Sequence, residues 1–428
     1  MTKPRRWTKL LMCVALLTAG SLTFLHGSVS YDVDDALSND PAAAGKAIAA
    51  LRNAGPEGLA AALRNYEQSH DQRLIPVIDA VAAQRDAIWS RLYWYTDLDR
   101  AKAAAQSQNK PILYLRLMGK LTDEYSCANS RFFRTVLYAN RDVSKALREQ
   151  YILVWGSERP VPVVTIDYGD GRILKRTLTG NSIHYILSPQ GKVVDALPGL
   201  YAPQTFNKIL AAARIAALPQ TSGRSLIESD YRTVTFNSLG RDWIADRARI
   251  GATAVVEVAA GPIGPNPAAM KAMRRAVSKR AVEMPLLARI SPDNIPALDR
   301  SIDKTEASLW RKIADLHLTE ARLDSSSIDL LESKNPAAYE RGDLLQRTVA
   351  QFENSIALDT VHNNYEYRRR IFGWLKDSNG EIGLEDLNRR VYSELFLTPR
   401  TDAWLGLTPD ATYTALPADG CVATTGGK

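Results

Sequence analysis

The spacing of hydrophobic positions changes several times along the chain, and each change marks a different kind of element. From Ser38 to Trp94 the apolar residues recur at helical intervals. Ile48 and Leu51 lead to a stop at Gly55, Leu59 and Leu63 mark a second helix, and Ile78, Val81, Ile88 and Leu92 mark a third, longer one. Ser38-Asn39-Asp40 ahead of Pro41 is the kind of sequence that opens a helix.

After Trp94 helical and strand signals alternate, which is the pattern of an α/β unit. Asp97 to Gln108 reads as a helix broken by Asn109-Lys110-Pro111, and Ile112 to Met118 is a nearly continuous apolar run, as in a strand buried on both faces. A polar loop from Gly119 to Ser126, a helical segment from Cys127 to Glu149 and a strand from Tyr151 to Trp155 follow. Val163 to Asp167 and Arg172 to Leu178 flank Tyr168-Gly169-Asp170-Gly171 as a hairpin, and Ile183 to Leu187 and Lys192 to Ala196 flank Ser188-Pro189-Gln190-Gly191 as a second. Phe206 to Leu218 closes the unit as a helix.

Farther on, Thr233 to Phe236 and Ala254 to Val258 have weak strand character, and Gly261-Pro262-Ile263-Gly264-Pro265 reads as a linker. Helical stripes then return at Leu345, Val349, Phe352 and Ile356, and at Leu384, Leu387, Val391 and Leu395. The organisation expected is a leader at 1–30, a helical segment at 31–93, an α/β domain at 94–217, a connecting region at 218–266, a helical domain at 267–400 and a tail at 401–428.

The leader changes how charge is read. Lys3, Arg5, Arg6 and Lys9 precede an apolar run from Leu10 to Leu25 and small residues at Ser28 and Ser30, the three parts of a secretory signal. Cleavage after Ser30 and retention as an inner-membrane anchor through residues 10–25 both remain open, and either sends the chain to the periplasm or another extracytoplasmic space. Without residues 1–30 the formal charge falls from +7 to +3, so the basicity belongs largely to the leader and nothing else resembles a nucleic-acid footprint. At 45% hydrophobic and 24% charged, the full chain has the composition of an ordinary globular protein. The five histidines have no ligand spacing, so no metal site and no cofactor are expected. His184 reads as a packed residue on an inner strand. Asp377-Ser378-Asn379-Gly380-Glu381 reads as a turn, Arg368-Arg369-Arg370 as a solvated helix face, and Tyr93-Trp94-Tyr95 as a packing hinge between the helical segment and the α/β domain.

Chemistry centres on Cys127. The run Lys110-Pro111-Ile112-Leu113, then Cys127-Ala128-Asn129-Ser130, Leu137 and Asn140-Arg141-Asp142-Val143 keeps the register of secreted and periplasmic thioredoxin-like proteins, which the chain resembles over about residues 94–217. The resemblance implies a thioredoxin-like fold, a central mixed sheet flanked by helices, with a helical N-terminal segment and a mainly α-helical C-terminal region. It places Cys127 at the nucleophilic position and Ser130 at the resolving one, where the family has a second cysteine. Gly180-Asn181-Ser182-Ile183 resembles the family's substrate-docking stretch, with Ser182 where the family has its cis-proline and Ile183 beside it. Arg91-Leu92-Tyr93-Trp94-Tyr95, Ser126 to Asn140, Arg159-Pro160-Val161-Pro162 and Leu197-Pro198-Gly199-Leu200-Tyr201 also look similar to a group of bacterial thioredoxin-like proteins with helical C-terminal regions.

A thiol at a helix N-terminus meets unpaired N–H groups that favour the thiolate. Arg131 and Arg134 would act in the same direction, and Asp123 and Glu124 against it. Three fates are open for Cys127: thiol-disulfide exchange with an external thiol or protein disulfide, pairing with Cys421 in an oxidising compartment, or chemical inertness within a scaffold that binds a protein partner.

Overall fold

The computed structural model describes residues 33–218, 228–252, 276–290, 304–340, 342–379, 381–405 and 415–417. The leader, Cys421, the stretch from Ala254 to Val258 and the Gly261–Pro265 linker lie outside them. Among the described residues no helix is long and apolar enough to cross a membrane.

The N-terminal segment forms α1 (Pro41–Asn53), α2 (Pro56–Ser69), α3 (Leu74–Ala82) and the short α4 (Ala87–Ser90). Asp40 caps α1, its carboxylate accepting from the Ala42 N–H at 3.0 Å. Leu51, Leu59, Leu63, Leu74, Ile78 and Val81 build a separate apolar cluster. The single long helix expected through Leu92 is instead two. Ala83 turns left-handed at φ +52°, which frees its carbonyl to accept from Trp155 Nε1 at 2.8 Å and lets Gln84 accept from Trp94 Nε1 at 2.7 Å. Tertiary hydrogen bonds override the helical period there.

The α/β unit runs α5 (Leu98–Gln108), β1 (Ile112–Met118), α6 (Ala128–Phe133), α7 (Arg141–Gln150), β2 (Ile152–Arg159), β3 (Val163–Asp167), β4 (Ile173–Thr177), β5 (Ile183–Leu187), β6 (Val193–Pro198) and α8 (Pro203–Ala217). Four strands form one mixed sheet in the order β2-β1-β5-β6, with β1 parallel to β2 and antiparallel to β5, and β5 antiparallel to β6. Strands β3 and β4 form a two-stranded ribbon of their own. Every residue of β1, β5 and β6 is buried, so both faces are covered. The segment expected as one helix from Cys127 to Glu149 is α6, a π-helical turn over Arg134–Tyr138, and then α7. The Asn140 side chain accepts from the Val143 N–H at 3.0 Å and starts α7 afresh.

Beyond the sheet come α9 (Glu228–Arg249), α10 (Val277–Ile290), α11 (Lys304–Leu316), α12 (Ser325–Ser333), α13 (Pro336–Tyr339), α14 (Leu344–His362), α15 (Arg369–Asp377) and α16 (Leu384–Arg390). The strand expected at Thr233 to Phe236 lies inside α9. Its β-branched residues favour a strand locally, but α9 is held by Tyr231 donating to Asp195 at 2.6 Å and Arg232 donating to the Val193 carbonyl at 2.9 Å.

These helices share one continuous apolar core with the sheet, and two buried ionic clusters lie along the shared boundary. Arg368 donates to both carboxylate oxygens of Asp195 on β6, at 3.0 and 2.6 Å. Arg116 on β1 pairs with Glu158 on β2 at 2.6 Å and Glu385 at 2.9 Å, while Asn388 and Arg400 also bond Glu158. The solvated face expected at Arg368-Arg369-Arg370 holds for Arg369 and Arg370, which are exposed, and is corrected for Arg368. Arg368 is buried against Asp195, and Arg369 and Arg370 lie over the rings of Phe236 and Trp374. The sheet supplies a buried negative charge that a helix from 170 residues onward must neutralise, and a run of arginines carries no sign of which member does so. Asp195→Ala leaves Arg368 buried without a counter-charge and is expected to cost about 3–5 kcal/mol. The shift of the urea midpoint at constant slope measures it.

Candidate functional site

The loop between β1 and α6 delivers Cys127 to the first turn of α6, its N–H bonded to the Met118 carbonyl at 3.3 Å. The structure brings three of the sequence-predicted residues together. Cys127 Sγ lies 3.0 Å from Ser182 Oγ. Ser130 Oγ donates to the Cys127 carbonyl at 2.9 Å and shares a hydrogen bond with Ser126 Oγ at 2.7 Å, so it is spent on the turn that carries the cysteine. Ile183, next to Ser182, opens β5 and pairs with Arg116 of β1 and Pro198 of β6. Cys127, Ser130, Ser182 and Ile183 are all fully buried, at 0% exposure. Cys421 lies outside the described residues, so the Cys127–Cys421 pairing does too.

Neither arginine of α6 and its continuation is bonded to the thiol. Arg131 donates to the Ser126 carbonyl at 2.9 Å and to Thr177 Oγ1 at 2.7 Å. Burial holds its guanidinium below its ordinary value. Arg134 is buried and faces Asp86 at 3.6 Å. His184 is packed between Phe133 and Phe206, with Nε2 2.7 Å from the Tyr138 hydroxyl. Burial pushes it down to about 3, so the ring is neutral and serves packing.

Several residues that close the site come from far along the chain. The Asn181 carbonyl accepts from the Tyr392 hydroxyl at 2.9 Å. Helix α10 packs against α6 and brings Lys279 and Glu283 into the interior, with 3.7 Å between Lys279 Nζ and Glu283 Oε2. Glu283 Oε2 accepts from the Thr179 N–H at 3.2 Å. The N-terminus of α10 is held by Asp359, whose carboxylate accepts from Val277 N at 2.5 Å and Ser278 N at 3.2 Å. In sequence, the i,i+4 spacing of Lys279 and Glu283 resembles an exposed ion pair. Nothing local indicates that it is buried, on a helix packed against α6 some 150 residues earlier.

The approach of the β4–β5 loop to Cys127 leaves no room for a side chain at Gly180. Its φ is +76°, and a Cβ there would lie 2.7 Å from Cys127 Cβ. Among the described residues no group of histidine, cysteine, aspartate and glutamate is disposed to hold a metal. No family model, curated protein or solved structure matches the chain.

Two outcomes follow from this geometry. Gly180→Ala combines a left-handed backbone with a steric overlap and is expected to destabilise the protein by about 2–3 kcal/mol, read from chemical denaturation. The second concerns pH. Burial pushes Glu283 up to about 7, against the opposing pull of Lys279 and Arg131, and pushes Asp359 up to about 6, against its backbone N–H bonds and His362. A carboxyl raised in the folded state contributes stability that is complete below its unfolded value and is lost as pH rises through its folded value. The unfolded values are 4.5 and 3.8. Amide exchange in α10, corrected for intrinsic rate, should therefore be slower at pH 5 than at pH 8. Equal protection at both would mean that these carboxyls do not hold the helix.

Proposed function

We propose that the chain is an exported thioredoxin-like protein that acts as a redox-inactive scaffold of the cell envelope, with Cys127 serving as a sealed structural thiol. The order of β1, cysteine-bearing loop, α6, β2, the β5–β6 hairpin and α8 supports the thioredoxin-like part, because it is the order on which the sequence resemblance rests. The leader at residues 1–30 supports export, with residues 10–25 as the apolar segment.

One observation carries the choice of scaffold over oxidoreductase. Cys127 is fully buried, bonded to Ser182 Oγ, and covered by elements from the C-terminal half. Thiol-disulfide exchange needs the attacking sulfur to reach a partner sulfur, so access limits the rate as much as thiolate content does. Ser130 has no sulfur to release a mixed disulfide and is already committed to two hydrogen bonds. A partner surface is available on the β3–β4 ribbon, where Val163, Tyr168 and Ile173 are about half exposed.

Alkylation with iodoacetamide, in a chain carrying Cys421→Ser, tests the reading. Cys127 is expected to resist modification in the native protein, to react in urea, and to support no reduction of insulin disulfides with added thiol. Rapid native alkylation together with a trapped mixed disulfide would favour monothiol exchange through Cys127 instead.

A further inference from the structure

The interface between the N-terminal helices and the α/β unit contains a cleft of about 490 Å³ on the far side of β2 from β1. That volume falls within the range of small-molecule sites. The segment Tyr93-Trp94-Tyr95 runs along this edge, with the Tyr95 N–H bonded to the Leu153 carbonyl at 2.8 Å and the Trp155 N–H bonded to the Tyr95 carbonyl at 3.1 Å. Trp94 turns into the core, fully buried, and fulfils the expected packing role. Tyr93, buried in the N-terminal cluster, and Tyr95, packed against both cores, share that role and also border the cleft, edge to face with ring centroids 5.2 Å apart. Arg52 covers Tyr93 at 4.5 Å from the ring centroid.

The lining divides by chemistry. Leu59 and Leu63 of α2 and Ile152 and Leu153 of β2 show only their edges at the apolar floor, above the fully buried Leu147 of α7, and the partly exposed Ala60 and Tyr95 extend it. Arg64, Arg91, Lys110 and Arg148 supply four positive charges, against one carboxylate, Glu57. Arg91 is partly neutralised by Glu67 at 2.7 Å. The side chains of Arg64 and Lys110 make no ion pair or hydrogen bond among the described residues. Arg148 donates to the Ser90 carbonyl and Ser144 Oγ, both at 2.9 Å. Partial burial, followed by repulsion from Arg91, holds its guanidinium below its ordinary value. Arg91 itself has a left-handed backbone at φ +58°, a conformation that costs a non-glycine residue about 1–2 kcal/mol. Arg91 and Arg148 thus stand close enough to repel each other, and both border the cleft.

We propose that this cleft binds a single-tailed amphiphilic anion, a carboxylate on an aliphatic chain, with the chain over Ala60, Tyr95 and the edges of Leu63 and Ile152 and the head among Arg64, Arg91, Lys110 and Arg148. Apolar surface alone would accept any hydrophobe. The surplus of cations selects for a negative head, because a neutral or cationic head would leave the guanidiniums uncompensated. This site is independent of Cys127 and of the scaffold reading.

Calorimetric titration of the full-length protein with dodecanoate, below its micelle concentration, tests the proposal. Saturable one-to-one binding is expected, with dodecanol at least tenfold weaker and dodecyltrimethylammonium not bound. Ala60→Phe, at a half-exposed α2 position on the cleft wall, should abolish binding with the circular dichroism spectrum unchanged. Arg64→Gln should weaken it about tenfold, and Arg172→Gln on the distant ribbon should leave it unaltered. The proposal is overturned if dodecanoate does not bind, if the alcohol and the cation bind equally well, or if Ala60→Phe binds normally. It is also overturned if the protein sediments with phosphatidylglycerol vesicles yet ignores dodecanoate, an outcome that would assign the charges to a membrane surface.

Discussion

Charges buried on the central sheet govern the arrangement of the whole chain. Asp195 on β6 and Glu158 on β2 lie where water cannot solvate them, and a buried carboxylate is tolerable only when it is paired and hydrogen-bonded. Asp195 is satisfied by Arg368 and Tyr231, and Glu158 by Arg116, Asn388 and Arg400. Most of those partners lie beyond residue 228. The C-terminal helices are therefore required to complete the sheet's electrostatics, and their apolar faces merge with its core.

That docking determines the environment of Cys127. Once α9, α14 and α15 are fixed on the sheet, Asp359 at the C-terminal end of α14 is positioned to receive the N-terminus of α10. Helix α10 then carries Glu283 to the Thr179 N–H, while Tyr392 closes on Asn181. A thiol at the start of a helix has a favourable position for reactivity, but here the same interactions that stabilise the fold exclude solvent from it. The chemistry of the position and its accessibility point in opposite directions, and accessibility prevails because exchange needs contact between sulfurs.

The cleft beside β2 shows the reverse case. The N-terminal helices bury their own apolar cluster and meet the α/β unit along Tyr93-Trp94-Tyr95. The arginines that gather there can face outward, and the seam between the two cores retains a concave surface. The boundary with the C-terminal helices is thus closed by paired charges, whereas the N-terminal one pairs Arg134 with Asp86 in one place and lines its cleft with like charges in another.

Local pattern was enough to place most elements. The alternation around Tyr168-Gly169-Asp170-Gly171 and Ser188-Pro189-Gln190-Gly191 specifies both hairpins, the continuous apolar run gives β1, and the stripe from Leu345 to Ile356 gives α14. Cys127, Ser130 and Ser182 are singled out by the resemblance of short segments to thioredoxin-like proteins, and the three residues do meet. The break at Ala83, the helical state of Thr233 to Phe236 and the burial of Arg368 could not be read in this way. Each depends on a partner at least 36 residues away, Trp155, Asp195 or Val193, and local propensity of a fraction of a kilocalorie yields to a buried hydrogen bond or ion pair worth more. The sequence by itself determined the elements and the position of the thiol. The tertiary structure alone decided that the thiol is sealed and that the arginines beside β2 converge, because burial and charge proximity are properties of long-range packing.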